Sequence, residues 1–381
     1  MSLPTPKALG DRLRGAYLGM AIADSLAMPV HWYYRPSDIL GDFSRITTFQ
    51  APKKVHPGSI MSLSNTGGAG RGGQTGSIIG DVINHGKKQF WGVQGVHYHQ
   101  GMKAGENTLN MVVARLLVRT LVGLPLPTAA VLGATPPPAA STPAAALLGA
   151  GSTYSADPFL ASYVTFMTTP GSHNDTYAET YHRMFFKNLQ AGKPPSACAD
   201  DDKHNVDSAG GLVLLPPPAL LAAASAATAA AAAASASPSP LQAAKAAARA
   251  AATTQMYATH KSQRLAGFVG VYSDVLASVL LSSAPPAQAI REAAAAAGQA
   301  LGVDIPGLVA SHPRQAQDTA VVGGVLTSAC YIEGSLPSLL FLAAKYADSP
   351  REALIANTNV GGENCHRVSS WGGAARAAGL A

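Results

Sequence analysis

The feature that most narrows what this chain can fold into is a helical spacing of apolar side chains that runs into polar residues. Leu13, Tyr17, Met20 and Asp24 share one stripe, as do Asn110, Val113, Leu117 and Leu121, and again Tyr177, Tyr181 and Phe185. That spacing is the mark of helices with one buried face. Val321 to Asp348 reads as two helices around Gly334, and strand-type alternation is scarce. The expected class is all-α, a compact multi-helix bundle. With 381 residues, 47% of them apolar, the chain can bury a sizeable core, which excludes a disordered or fibrous reading.

Residues 1–381 are expected to form a single domain carrying two low-complexity insertions, near 124–151 and 216–252. The first is rich in Pro, Ala and Gly and reads as a loop or linker. The second is an alanine tract broken at Pro238 and Pro240. Alanine favours helix but offers little side chain to pack, so a marginal surface helix or an excursion without functional role is expected. Gly67 to Gly76 lacks the Lys-Ser/Thr ending of a phosphate loop and reads as a flexible loop.

Charged residues make up 13% of the chain, with a net charge of +6. The Lys and Arg residues are dispersed, and pairs such as Lys53-Lys54 are too short for a nucleic-acid patch. Three cysteines far apart give neither a disulfide framework nor a CxxC pair, as in a reducing compartment. The first apolar stretch carries Asp11, Arg12, Arg14 and Asp24, unlike a signal peptide. Prolines interrupt the uncharged stretches 120–156 and 208–244, so no spanning helix is expected. The chain reads as soluble and cytoplasmic, with no nucleic-acid or membrane partner.

Polar residues set against the apolar pattern are the site candidates, because burying them unpaired costs several kcal/mol. Asp24 continues a core-facing stripe. His97 and His99 precede Glu106-Asn107-Thr108, where the stripe of Asn110 would put Glu106 on the buried side at a helix N-terminus. Asn107 or Thr108 is also a candidate helix cap. His173, Asn174 and Asp175 precede Thr176 and Glu179, which are spaced as a capping box. His204, Asn205 and Asp207 precede an apolar run, while Asp200 to Asp202 read as solvated charge. The densest cluster is Asn357 to Arg367, NTNVGGENCHR, whose two glycines allow close backbone approach.

These residues carry a resemblance. RGAYLGMAIADSLAMP, residues 14–29, resembles the N-terminal signature of the ADP-ribosylglycohydrolase family. Glu106-Asn107-Thr108 stands where that family has Asp-Asp-Thr, and Gly361 to His366 where it has G-G-D-x-D-[ST]. The resemblance implies an all-α bundle with its site where these helix starts meet, and cleavage of the glycosidic bond between ADP-ribose and an acceptor. It implies oxygen ligands for magnesium, here Asp24, Glu106 and Glu363. The sequence departs from the pattern at Glu106, Asn107, Glu363, Cys365 and His366. A thiol and an imidazole among the ligands suit a softer ion such as zinc, using Cys365 or His366 with His97 or His99.

On this reading the substrate is a small molecule or an ADP-ribosylated one. Glu106, Glu363 and His366 are the catalytic candidates. Binding falls to His97, His99, Asn107, Thr108, Asn174, Asp175, His204, Asn205, Asp207, Asn364 and Arg367, with Arg367 facing a phosphate. A second reading is a non-catalytic member that binds ADP-ribose or a related nucleotide, or a structural one of the crystallin J1 kind. A third makes Cys365 a nucleophile.

Overall fold

The computed structural model describes residues 3–70, 75–124, 154–233, 238–367 and 369. Helix α1, Pro6–Ala27, starts where the Thr5 side chain accepts the Ala8 N–H and proline occupies the first turn. It ends in a 3-10 turn, Met28–Val30. Then come α2 (Pro36–Phe43), α3 (Leu109–Leu121), α4 (Asp157–Thr168) and α5 (Thr180–Gln190). The second half runs through α6 (Pro216–Ala232), α7 (Pro240–Thr259), α8 (Gln263–Leu281) and α9 (Pro286–Ala300). It closes with α10 (Ile305–Ser311), α11 (Ile332–Lys345) and α12 (Pro350–Val360). Among the described residues there is no β-strand, only isolated bridges such as Val55 with Val96. The protein is all-α.

Two apolar clusters fill it. One gathers Leu220 and Ala223 of α6, Ala244, Ala248 and Met256 of α7, Leu276 of α8, Ile290 of α9 and Leu340 of α11. The other gathers Val113 and Leu117 of α3, Phe159 and Tyr163 of α4 and Phe185 of α5. The alanine tract is therefore no surface excursion. It forms α6 and α7, and Ala223, Ala227, Ala244, Ala248 and Ala252 are fully buried. Small side chains are what let helix backbones approach closely, so the poverty that argued against packing is the means of it. The insertion expected at 124–151 lies, from residue 125 on, outside the described residues.

Other expectations are corrected. Val321 to Asp348 holds one long helix, α11, preceded by the single turn Asp318–Val321. Gly334 lies in the first turn of α11 because a Cβ there would meet the Thr327 methyl at 2.3 Å. Thr176 and Glu179 form no capping box: α5 begins at Thr180, and the Thr176 hydroxyl donates to the Gln100 carbonyl at 2.7 Å. Asp202 is no free surface charge, since one of its oxygens accepts from the Asn205 and Val206 backbone at 2.8 and 3.1 Å. The stretch Ala209–Ala232 does reach the length and apolarity of a spanning helix, with mean hydropathy 1.6, as does Gln263–Leu281 at 1.5. Within this fold 72% and 56% of those segments are buried against the rest of the protein.

The alanine packing makes a direct prediction. Ala248→Leu overfills the α6–α7 contact and should cost about 1–3 kcal/mol of stability. Ala250→Leu, one half-turn away on the exposed face, should be near neutral, and urea unfolding of both variants checks the difference.

Candidate functional site

The N-terminus of α3 is held by two buried carboxylates from elsewhere in the chain. Asp24, near the end of α1, accepts from the Thr108 backbone at 2.7 Å, the Thr108 hydroxyl at 2.6 Å and the Asn107 amide at 3.0 Å. Asp175 accepts from the Leu109 backbone at 2.7 Å. Helix amides left without partners are thus paired with negative charge at the positive end of the dipole. Burial pushes the Asp24 carboxyl up, against the pull of these donors. At Asp175 burial is outweighed by His99, and its pKa lies below the usual value.

From Asp175 a buried line of side chains leads inward. The His99 Nδ1 donates to Asp175 at 2.8 Å, and its Nε2 meets His31 Nδ1 at 2.8 Å. Burial depresses the His31 pKa to about 3, so the ring is neutral. The Nε2 of His31 has no partner within hydrogen-bond distance and lies 3.8 Å from Glu363 Oε1.

Glu363 arrives at this point because the chain turns sharply after α12. Gly361 and Gly362 both have left-handed backbones, φ 69° and 65°. A Cβ on Gly361 would strike the Tyr33 carbonyl at 2.2 Å, and one on Gly362 the Ser328 carbonyl at 2.1 Å. The close approach read from the two glycines is therefore to backbone. Trp32 shares the constraint, with φ 63°, a costly conformation for so large a residue. Its amide donates to the Gly362 carbonyl at 2.9 Å, and its indole N–H donates to Glu363 Oε2.

His366, one turn beyond Glu363, bonds Glu363 through Nδ1, which also lies 3.2 Å from Glu179 Oε1. Burial alone would lower the His366 pKa; Glu179 and Glu363 override it and push it up to about 9. Burial opposes ionisation of Glu363 as well, but His366 and His31 hold its carboxyl well below the usual range. Burial pushes Glu179 up, with repulsion from Glu363 adding to it against the attraction of His366. Asn110 joins the group, its Nδ2 3.0 Å from both Glu179 Oε2 and His366 Nε2. Its Oδ1 accepts from Tyr181 at 3.1 Å and His182 at 3.0 Å.

A cleft opens above the cluster. Trp32, Tyr98 and Tyr177 form aromatic walls, with Tyr34, Arg183, Asn205 and Cys330 around them and Glu179 at the floor. Trp32 meets Tyr98 and Tyr177 edge-on, at centroid distances of 4.4 and 5.0 Å. Glu179 packs against Gly210, where a Cβ would come within 2.4 Å of its carboxylate. Arg183 is buried and pins the glycine loop, its Nη1 donating to the Asn65 and Ala69 carbonyls at 2.6 and 2.7 Å. The described part of that loop is tied down at this end.

Of the residues singled out in the sequence, Glu363, His366 and His99 belong to the central network and Asn205 lines the cleft. Asp24, Asn107, Thr108 and Asp175 build the α3 clamp around it. His97 is a backbone brace: Nε2 donates to the Pro29 carbonyl at 3.0 Å, and Nδ1 accepts from the His99 amide at 3.0 Å. Arg367 is buried and grips the Gly361 carbonyl at 2.8 Å and Asn357 at 2.7 Å. Asn364 reaches the Val30 and Thr358 carbonyls, and Asp207 accepts from Ser262. Glu106 does not take the expected buried place, because α3 starts only at Leu109. It bonds the Lys103 amide at 2.7 Å and Asn174, which is exposed, as is His204. Cys365 is fully buried and its thiol is raised far above the usual value, mainly by burial, which removes the nucleophile reading. Sequence reasoning missed His31, Trp32 and Asn110, and took Glu179 for a cap. Asn110, interrupting an apolar stripe, was the available signal.

The residues do not fit magnesium. The oxygens of Asp24, Glu106 and Glu363 do not converge. Among the described residues one group can converge on an ion, His31, Glu363 and His366, with ligand atoms within 4.8 Å of one another. It offers a single hard oxygen, whereas magnesium calls for an oxygen octahedron. Cys365, His97 and His99 are not part of it.

A sequence profile described as ADP-ribosylglycohydrolase matches residues 5–378. No curated protein matches the chain. Among solved structures, an ADP-ribosylglycohydrolase-related protein complex superposes with a TM-score of 0.51 at 16% identity, over 98% of this chain and 88% of the other.

Removing the Asp175 carboxylate leaves the Leu109 amide and His99 Nδ1 buried without an acceptor. Asp175→Ala should cost about 3–5 kcal/mol. Because the Asp175 pKa is lowered in the folded state, its contribution is present above the ordinary carboxylate pKa and is lost as pH falls through the folded value. Denaturant titrations should therefore show the gap between wild type and variant narrowing in acid.

Proposed function

The chain belongs to the ADP-ribosylglycohydrolase family, and from that premise we propose that it hydrolyses an N- or O-glycosidic bond to ADP-ribose. The observation that carries this reading is the bridging of two carboxylates, Glu179 and Glu363, by one buried imidazole, with Glu179 lining an aromatic cleft. Cleavage through an oxocarbenium-like transition state needs a proton for the leaving atom, a water deprotonated as it attacks, and negative charge near the anomeric carbon. Glu179 is the acidic residue that both lines the cleft and touches the buried pair. In its acid form it gives a proton to the leaving group. As the carboxylate it then takes one from the attacking water. His366 holds the exchangeable proton beside it, and Glu363 keeps His366 charged and oriented. Two ionised carboxylates and one imidazolium sum to a single negative charge, opposite in sign to the developing cation. Trp32, Tyr98 and Tyr177 offer flat apolar faces to the nucleoside.

The substrate on this reading is a small-molecule or protein-linked ADP-ribosyl conjugate, met in an aqueous, cytoplasmic setting without nucleic-acid or membrane partners. The burial of the two most apolar helices supports that setting. One observation favours the second reading, a non-catalytic nucleotide-binding or crystallin J1-like member: the oxygen ligands that the family resemblance implies are not gathered.

Glu179→Gln should lower kcat by about 10²- to 10⁴-fold, the range for a lost general acid–base group. Glu106→Gln, away from the cleft, should change it little. Release of ADP-ribose from an ADP-ribosylated peptide is the assay, with the melting temperature confirming that both variants fold. Full turnover by Glu179→Gln would sink the mechanism. Stabilisation by ADP-ribose with no turnover of any ADP-ribosyl substrate would select the second reading.

A further inference from the structure

We propose that His31, Glu363 and His366 form a three-ligand site for a borderline divalent transition ion such as zinc, with a fourth position open toward Glu179 and the cleft. The inference concerns what this donor set binds: an ion here takes the place of the His366 proton beside Glu179, and the acid–base role of Glu179 is tested separately. Two imidazole nitrogens and one carboxylate oxygen, with a free position for water, is a set that zinc and its neighbours accept.

Three observations carry it. First, His31 Nε2 is buried without a hydrogen-bond partner and lies 3.8 Å from Glu363 Oε1. A buried ring nitrogen so placed is costly unless something else occupies it. Ligand atoms about 2.0–2.2 Å from a shared ion sit roughly 3–4 Å apart, which suits His31 and Glu363, while His366 Nδ1, hydrogen-bonded to the same Glu363 oxygen, draws back as an ion enters. Second, each ligand is held from behind. His31 is backed by His99 and Asp175, Glu363 by the Trp32 indole on its other oxygen, and His366 by Asn110. Such outer partners orient ligands and set the tautomer. Third, the backbone at Trp32 is strained where it meets the Gly361–Gly362 turn that brings Glu363 in.

Without an ion, His366 Nδ1 and Glu363 share a proton. An ion takes over both lone pairs and displaces that proton to solvent. Coordination through Nδ1 leaves N–H on Nε2, which the Asn110 amide receives by turning its oxygen toward it.

Cobalt(II) is the probe, because it occupies zinc-type sites and its visible bands report coordination. Full-length protein dialysed against EDTA and titrated with cobalt chloride should develop visible ligand-field bands at one equivalent. Zinc should abolish them stoichiometrically, and a large excess of magnesium should not. His31→Gln, which keeps the ring's approximate volume, should lose the bands while still melting cooperatively. If it fails to fold, His99→Gln keeps all three ligands and should weaken cobalt binding about 10- to 100-fold. Absence of bands in the wild-type protein overturns the proposal. So does displacement by equimolar magnesium, or unchanged affinity in the folded variant that is measured. No substrate enters the experiment, so its failure leaves the hydrolase reading to be judged by Glu179→Gln.

Discussion

The clamp on the first turn of α3 fixes where everything else in the site can be. Asp24 spends both oxygens on Thr108 and Asn107, and Asp175 pairs with Leu109. This ties the end of α1, the start of α3 and the approach to α5 to one another with short bonds shielded from water. Each carboxylate then has a second consequence. Asp24 leaves α1 close enough for His31 to follow it into the cluster. Asp175 orients His99, which orients His31. The reactive groups are thus positioned by residues that do not themselves face the cleft.

Electrostatics follow from that geometry. Five ionisable side chains, His31, His99, Glu179, Glu363 and His366, stand close together with little water to screen them. Burial alone would neutralise His31, Glu179, Glu363 and His366. Pairing reverses that for Glu363 and His366 and leaves Glu179 as the more easily protonated of the two carboxylates. Asymmetry between two like carboxylates comes from position: Glu363 has Trp32 and two histidines, whereas Glu179 borders the cleft.

The helical class was legible because its apolar stripes are long and regular. The three motif blocks were legible because polar residues interrupt them. Glu363 and His366 could be found for that reason. Glu106 could not be placed correctly, since its role depended on where α3 begins, and the two caps that set that boundary come from Asp24 and Asp175, far away in sequence. Glu179 hid behind a capping-box spacing. His31 and Trp32 lie just past the matched N-terminal block and carry no pattern of their own; only the meeting with Glu363 gives them meaning. The alanine tract misled for a physical reason. Side-chain bulk was taken as the measure of packing, while α6 and α7 pack by closeness of backbone.

The turn at Gly361 and Gly362 has a consequence for how the molecule comes into being. Trp32 and Glu363 are 331 residues apart, yet they bond directly, and the same turn bonds the Tyr33 and Ser328 carbonyls. Joining segments so remote carries the entropy of closing a loop of most of the chain, repaid only once the intervening helices are packed. The site therefore has no precursor in a partial chain. During synthesis its two halves are separated by nearly the whole polypeptide, and the cluster first exists when the last segment docks.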